Sequence, residues 1–266
     1  MMDIDRIYGS RLFTKEKFLF YKRLPSTQDR AKELIKNGVG RPGYVIVADE
    51  QYRGRGRFRR VWSSHKGESL TFSFITEKIP LLSMRTALSV AKTLEEECGL
   101  RAEIEWPNDI VIGNKKICGI LIETERELAI IGVGMNVNET VLPLESATSV
   151  RIETGIPASR EAILSLFLSI FESNLTRENI MDCVREYLSF MDRYVEIETE
   201  NGVVRGEFIN LGEDGEIIIR TESGSIASFL PGEAKRVHKL TADARRLAQT
   251  QIKTVIKSLG HWAIRL

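Results

Sequence analysis

Cysteine and histidine are scarce in this chain of 266 residues, at three each. Cys98, Cys118 and Cys183 are odd in number, widely spaced and without a CxxC pair, which argues against a disulfide framework and a cysteine zinc site. His65, His238 and His261 are equally scattered, so a resident transition-metal centre is not expected. No apolar run approaches the length needed to cross a bilayer, and the start, Met1-Met2-Asp3-Ile4-Asp5-Arg6, carries acids where a secretory signal carries bases. A cytoplasmic protein without membrane contact is the expectation. Nor is there an excess of one charge: 38 Lys and Arg against 37 Asp and Glu leave +1, which argues against a dedicated DNA- or RNA-binding domain. The charge is unevenly placed, because Lys239, Arg245, Arg246, Lys253, Lys257 and Arg265 face one acid, Asp243, in the last stretch.

What is present is an ordinary globular composition, 42% hydrophobic and 28% charged, with no low-complexity tract. The length allows a sizeable core and favours two domains. Residues 18–22 read as a first strand, and Pro25-Ser26-Thr27 as a turn whose Ser26 or Thr27 caps a helix carrying Ala31, Leu34 and Ile35, closed at Gly38. Tyr44 to Ala48 is a strand-like run. Residues 51–67 are a loop rich in Gly and Arg. Ser69 to Ile75 alternates Leu70, Phe72 and Phe74 with Ser and Thr, the pattern of a half-buried strand. Ser83 is placed to cap a helix ending at Gly99. Strands follow at 101–105, 110–112, 115–124 and 128–137, the second and third joined by Gly113-Asn114, a two-residue hairpin signal. Helices are expected at about 159–174 and 177–190. Beyond residue 193, short strands separated by Asn201-Gly202, Asp214-Gly215 and Ser223-Gly224 suggest a small antiparallel barrel. The boundary falls near residue 192.

Three segments carry chemistry. In Gly54-Arg55-Gly56-Arg57-Phe58-Arg59-Arg60, preceded by Gln51 and followed by Trp62, five arginines crowd residues 53–60. Such density repels itself unless an anion is present, and guanidinium forks between glycines suit phosphate or carboxylate oxygens. An RNA contact or a solvated loop are the other readings. Trp106-Pro107-Asn108-Asp109, by itself a common turn, precedes Lys116-Ile117-Cys118-Gly119-Ile120-Leu121-Ile122-Glu123. Lys116 heads an apolar strand, where a lysine either snorkels or meets an anion. Simple alternation puts Ile117, Gly119 and Leu121 on one face, with a side-chain gap at Gly119 open to a ligand. In Gly132-Val133-Gly134-Met135-Asn136-Val137-Asn138, small residues again permit close approach, and Asn136 offers a donor and an acceptor.

Taken in order, Ser26-Thr27-Gln28, Gln51…GRGR…Trp62, WPND, KKICGIL and GVGMNVN resemble the biotin protein ligase family over roughly residues 20–238. The resemblance implies a mixed-sheet α/β (α+β) catalytic domain of the biotin/lipoate ligase type over 1–192 and a small SH3-like β-barrel over 193–238; the basic tail, 239–266, has no counterpart in the family pattern. Leu247, Ile252, Val255, Ile256 and Leu259 suggest a helix in that tail, packed on its own domain. It implies a monofunctional enzyme, because too few residues precede the first strand for the winged helix some members carry. The implied activity is ATP-dependent: biotin and ATP, the latter with Mg²⁺, form biotinyl-5′-AMP, and the biotin passes to a lysine of a biotin carboxyl carrier protein domain. A homodimer is the implied assembly.

By matching position, Ser26, Thr27, Gln28 and Gln51 would bind biotin, together with Arg55, Gly56 and Lys116. Arg55, Arg57, Trp62 and Asn136 would bind the nucleotide, and Arg57, Lys116 and Asp109 would be catalytic, Asp109 toward the incoming amine. Two positions depart from the family pattern. Phe58-Arg59 stands where Arg-Gly is usual, and Glu105 where a lysine usually precedes WPND. That charge reversal amounts to about 4 kcal/mol at roughly 8 Å from a phosphate and an effective dielectric of roughly 20, unless Glu105 faces away. A lipoate ligase, or a nucleic-acid-binding protein using the Arg/Gly loop, are the alternatives.

Overall fold

The computed structural model describes residues 2–7, 10–189 and 193–240, and the chain divides into two compact units, Met1–Ser189 and Phe190–Leu266. The expected boundary near residue 192 and the expected helix within 241–266 fall outside the described residues.

In the first unit, β1 (Phe18–Tyr21) leads to α1 (Thr27–Lys36), β2 (Val45–Ala48) and β3 (Leu70–Glu77). There follow α2 (Leu82–Cys98), β4 (Glu103–Glu105), β5 (Asp109–Ile112), β6 (Lys115–Glu125) and β7 (Leu128–Met135), then α3 (Val150–Thr154), α4 (Arg160–Leu175) and α5 (Ile180–Arg185). The strands form one mixed sheet ordered β1-β2-β3-β7-β6-β5-β4, in which β1 and β2 are parallel and every other pair antiparallel.

β3 departs from the half-buried expectation: Leu70 through Thr76 are all buried. Helices cover both faces of the sheet at its centre. Phe72 and Phe74 join Phe13, Phe167 and Phe171 in an aromatic cluster, with Phe74 and Phe171 edge-on at 4.7 Å. Ile75 belongs to the opposite layer, with Ala31, Leu34, Ile35, Ile46 and Ile130 beneath α1. The alternating Thr71 and Ser73 therefore face α1 rather than water.

Local signals explain the helix ends. Ser26 caps α1 by accepting from the Asp29 amide, and Gly38 follows it with φ +73°. Gly99, at φ +66°, closes α2. The start of α2 corrects the expectation for Ser83: the helix begins at Leu82 behind Leu81, at φ 60°, and no side chain caps it. The second expected late helix shortens to α5, because Ile104 donates to the Tyr187 carbonyl and accepts from the Ser189 amide, drawing that segment to the sheet edge.

The second unit contains β8 (Tyr194–Thr199), β9 (Gly202–Leu211), β10 (Ile217–Thr221), β11 (Ile226–Phe229) and β12 (Arg236–Lys239), one antiparallel sheet ordered β11-β10-β9-β8-β12. Val195, Ile197, Phe208, Leu211, Ile217 and Ile219 are fully buried within it. Among the described residues no helix is long and apolar enough to cross a membrane.

Candidate active site

The site grows from a defect in β6. Between β5 and β6 the register shifts, with Ile110 opposite Cys118 but Val111 opposite Lys116, so Ile117 is an extra residue. Alternation alone would set Lys116 and Gly119 on opposite faces. The bulge puts them on the same one, where a β-carbon on Gly119 would lie 3.2 Å from Lys116 Nζ. Asp109, directly opposite Gly119, receives the Lys116 ammonium at 2.7 Å.

The Arg/Gly loop folds down over this face. Trp62 donates its amide to the Gly54 carbonyl, Gly56 donates to the Arg60 carbonyl, and residues 57–59 make the tip, with Phe58 and Arg59 left-handed at φ 52° and 61°. Gly54 is obligatory, since a β-carbon there would meet the Trp62 carbonyl oxygen at 2.4 Å. The Trp62 indole lies across the sheet glycines: added β-carbons would meet it at 2.3 Å from Gly134 and 3.0 Å from Gly119, a pair opposite each other on β7 and β6. Lys116 Nζ sits 5.7 Å from the centre of the indole.

The inward arginines differ in their partners. Arg57 donates to Asn108 Oδ1 at 2.8 Å, and Asn108 Nδ2 donates to Asp109 Oδ1 at 3.0 Å, so Arg57, Asn108, Asp109 and Lys116 form one connected cluster. Burial pulls the Arg57 guanidinium below its ordinary pKa, with Asp109 opposing that shift and Arg60 adding to it. A partly desolvated cation of this kind gains most from an arriving anion. Arg55 instead pairs with carboxylates of the chain, Asp29 at 2.6 Å and Glu123 at 3.0 Å, and Lys32 reaches Glu123 at 2.7 Å. The anion balancing Arg55 is thus supplied by α1 and β6, a correction to the expectation that the whole arginine run awaits a ligand. Burial works against the charge on Glu123, but Lys32 and Arg55 outweigh it and hold the carboxyl below its usual value.

The other end of the site is polar and buried. Gln51 Oε1 accepts from the Thr27 amide at 2.7 Å and from the Thr27 hydroxyl at 3.1 Å. Thr27 Oγ1 is 2.8 Å from Ser73 Oγ, which contacts Gln28 Oε1 at 2.9 Å. Gln28 crosses Gly132, where a β-carbon would meet its Oε1 at 2.7 Å. Gly132, Gly134 and Gly119 therefore act as a floor on which Gln28 and Trp62 rest.

The sequence of residues 20–136 matches the model of the biotin/lipoate A/B protein ligase family. A bifunctional ligase/repressor, BirA, of Bacillus subtilis (strain 168) is 31% identical over 229 residues, covering 77% of this chain and 70% of that protein. This chain belongs to the biotin/lipoate A/B protein ligase family. A biotin--[acetyl-CoA-carboxylase] ligase of Paracoccus denitrificans is 26% identical, covering 76% of this chain and 94% of that protein. Among solved structures, a biotin protein ligase from Aquifex aeolicus in complex with biotin and ATP superimposes with a TM-score of 0.76 at 31% identity, covering 84% of this chain and 99% of that one.

Within this family member, the expected site residues separate into groups. Thr27, Gln28 and Gln51 meet at the polar end, with Ser26 serving as the helix cap. Arg57, Asp109, Lys116 and Trp62 meet at the charged end. Asn136 belongs to neither: it is 6% exposed, and its Nδ2 donates to the Thr148 carbonyl at 2.9 Å, pinning the segment before α3. Gly56 has φ −111° and room for a side chain, so its conformation makes no demand for glycine. Glu105 does not face away, because it lies opposite Asp109 across β4 and β5, and such pairs share a face.

Three residues were missed. In the sequence Asn108 looks only like part of a turn, although it links Arg57 to Asp109. Glu123 closes the apolar run headed by Lys116, and its pairing with Arg55 spans 68 positions. Ser73 carried a usable signal, a hydroxyl in a strand with bulky apolar residues on alternate positions.

Proposed function

We propose that this chain is an ATP-dependent biotin protein ligase. It would form biotinyl-5′-AMP from biotin and ATP, then transfer the biotin to a lysine of a biotin carboxyl carrier protein domain. The observation that carries this reading is the convergence of Arg57 and Lys116, from different elements, on Asn108 and Asp109 beside a glycine-floored surface. That surface is shared with a buried polar end at Thr27 and Gln51. The arrangement suits an apolar acid with a polar head and a carboxylate that must meet a phosphate.

In the first half-reaction a biotin carboxylate oxygen would attack the α-phosphorus of ATP and pyrophosphate would leave. Negative charge accumulates on the phosphoryl oxygens, and fixed cations at Lys116 and Arg57 would stabilise it without reorganising. In the second, the carrier amine would attack the biotinyl carbonyl and AMP would leave. The amine must first lose a proton to expose its lone pair, and Asp109, 2.7 Å from the Lys116 ammonium, would take or orient it. Binding of phosphate at Lys116 would release Asp109 from its ion pair, linking the two steps. Mg²⁺ would enter with the nucleotide, held chiefly by phosphate oxygens. Among the described residues no group of three or more His, Cys, Asp or Glu is placed to hold an ion alone. The carrier of a biotin-dependent carboxylase is the proposed partner, on the strength of relatives named biotin--[acetyl-CoA-carboxylase] ligase. A homodimer is proposed as the assembly.

The test is exchange of labelled pyrophosphate into ATP, run with biotin and with lipoate. Biotin-dependent exchange is expected. Exchange with lipoate alone would replace biotin as substrate, and salt-sensitive RNA binding without exchange would replace the enzyme reading.

A further inference from the structure

Outside the candidate site, one carboxylate is buried almost alone. Glu139, just past β7, is 0% exposed, yet its carboxyl receives a single hydrogen bond, from the Ser69 hydroxyl, and its Oε2 has no hydrogen-bond partner among the described residues. Near it stands His65, whose Nδ1 is buried, equally without a hydrogen-bond partner, and 4.0 Å from Glu139 Oε1. That separation is too long for a hydrogen bond but still carries attraction between opposite charges. An ionised carboxyl shut away from water with one donor is costly, and a proton on the imidazole offsets that cost. The His65 side chain is 41% exposed, so water can supply the proton.

The other charges around the pair are spoken for or turned to solvent. Arg160, at the start of α4, pairs with Asp49 at 3.2 Å, both buried, and gives Ser69 only a bond to its carbonyl. Lys66 is exposed and Glu68 half-buried, and neither forms an ion pair with His65 or Glu139.

The place of the pair gives it leverage. His65 ends the Arg/Gly loop: its amide donates to Ser69 Oγ at 2.8 Å, and the Ser64 hydroxyl before it bonds both the amide and the carbonyl of Gln51, closing the base of the loop that carries Arg57. Glu139 opens the segment that returns to β6. Its carbonyl accepts from Ser149, the cap of α3, while the Ser146 carbonyl and the Thr148 amide bond the backbone of Lys116 on either side.

We infer that His65 and Glu139 form a positioning pair for adenylation, in which a proton on His65 holds the base of the Arg/Gly loop against the segment that brackets Lys116. The inference rests on the ligase reading and adds to it two residues that need not touch substrate. With His65 charged the pair attracts. As pH rises and His65 loses its proton, Glu139 is left a buried anion without a counter-charge, and Arg57 is held less firmly beside Lys116.

The experiment follows biotin-dependent pyrophosphate exchange by the wild type, His65→Gln, Glu139→Gln and the double variant from about pH 5.5 to about pH 8.5, across the ordinary imidazole range. Rates are taken as ratios to the wild type at each pH, which cancels the titration of ATP and of every group the proteins share. At the acid end each single variant is expected about three- to fivefold below the wild type in kcat/KM, the weight of a half-exposed ion pair, and at the alkaline end within about twofold. The double variant should match the singles, because each change removes the same pair. Hydrogen exchange at the Gly56 and Trp62 amides, which close the loop, should be faster in the variants at the acid end only. Ratios that stay constant with pH indicate a merely structural contact and overturn the inference, as do single losses that multiply in the double variant. If Glu139→Gln does not fold, His65→Gln, at a half-exposed position, decides by the same ratio. With no exchange in the wild type the ligase reading fails, and hydrogen exchange at the two amides then decides the pair by itself.

Discussion

Gly134→Ala tests the glycine floor directly. An ideal β-carbon at this position would stand 2.3 Å from Trp62 Cε2, 2.6 Å from Nε1 and 2.7 Å from Cζ2, well inside contact distance, so either the indole or the strand must move. β7 is paired along its length to β3 on one side and to β6 on the other, whereas Trp62 sits in a loop and is only half-buried. The indole is therefore the part that gives way. Overpacking of this kind costs about 1–3 kcal/mol. Because the Trp62 amide is bonded to Gly54, the displacement reaches the hairpin that carries Arg55 and Arg57. If the loop must occupy its folded position for adenylation, kcat/KM falls about 5- to 150-fold. Gly119→Ala is the matched comparison: its β-carbon meets the indole edge at 3.0 Å and the end of the Lys116 side chain at 3.2 Å, contacts relieved by a few tenths of an ångström. Pyrophosphate exchange gives the rates, and the emission lost on Trp62→Phe isolates the Trp62 signal, which should shift to the red in Gly134→Ala. Equal effects of the two alanines, or an unshifted Trp62 emission, would refute the reasoning.

Three further outcomes are expected. Arg59 is exposed and held at φ 61°, a conformation that costs a β-branched residue more than glycine; Arg59→Val should speed hydrogen exchange at the Gly56 and Trp62 amides about tenfold, while Arg59→Gly stays within about threefold of wild type. Glu105→Gln removes a negative charge from the face that carries Asp109, and the KM for ATP should fall two- to tenfold, roughly, as the local potential rises. Glu123 has its folded pKa depressed, so its contribution to stability is fully present above the unfolded value of about 4.3 and is lost as pH falls through the lower folded value; Glu123→Gln should lose Tm at pH 7 and be nearly neutral at pH 2, read by thermal melts at both.

The order of elements was legible because local signals agreed with the final fold. Ser26, Gly38 and Gly99 mark helix ends, and Gly113-Asn114, both with positive φ, join β5 to β6. What escaped depends on contacts between distant segments. The face on which Lys116 projects is decided by a one-residue bulge that no alternation pattern announces. Arg55 looked like a free cation because Asp29 and Glu123 are remote in sequence. Asn136 looked available because the segment that occupies it, at Thr148, follows twelve residues later. Ser73 looks like the polar side of a half-buried strand, since one strand alone cannot reveal that its sheet is covered on both faces.

The central claim is that Lys116 and Arg57 act together on one phosphoryl group. Its most direct measurement is single-turnover formation of biotinyl-5′-AMP by wild type, Lys116→Ala and Arg57→Ala, with folding checked by circular dichroism. The expected result is accumulation of the adenylate by the wild type and at least about a hundredfold slower formation in each variant, with unchanged secondary structure. Adenylate forming at the wild-type rate in a folded Lys116→Ala protein would contradict the claim.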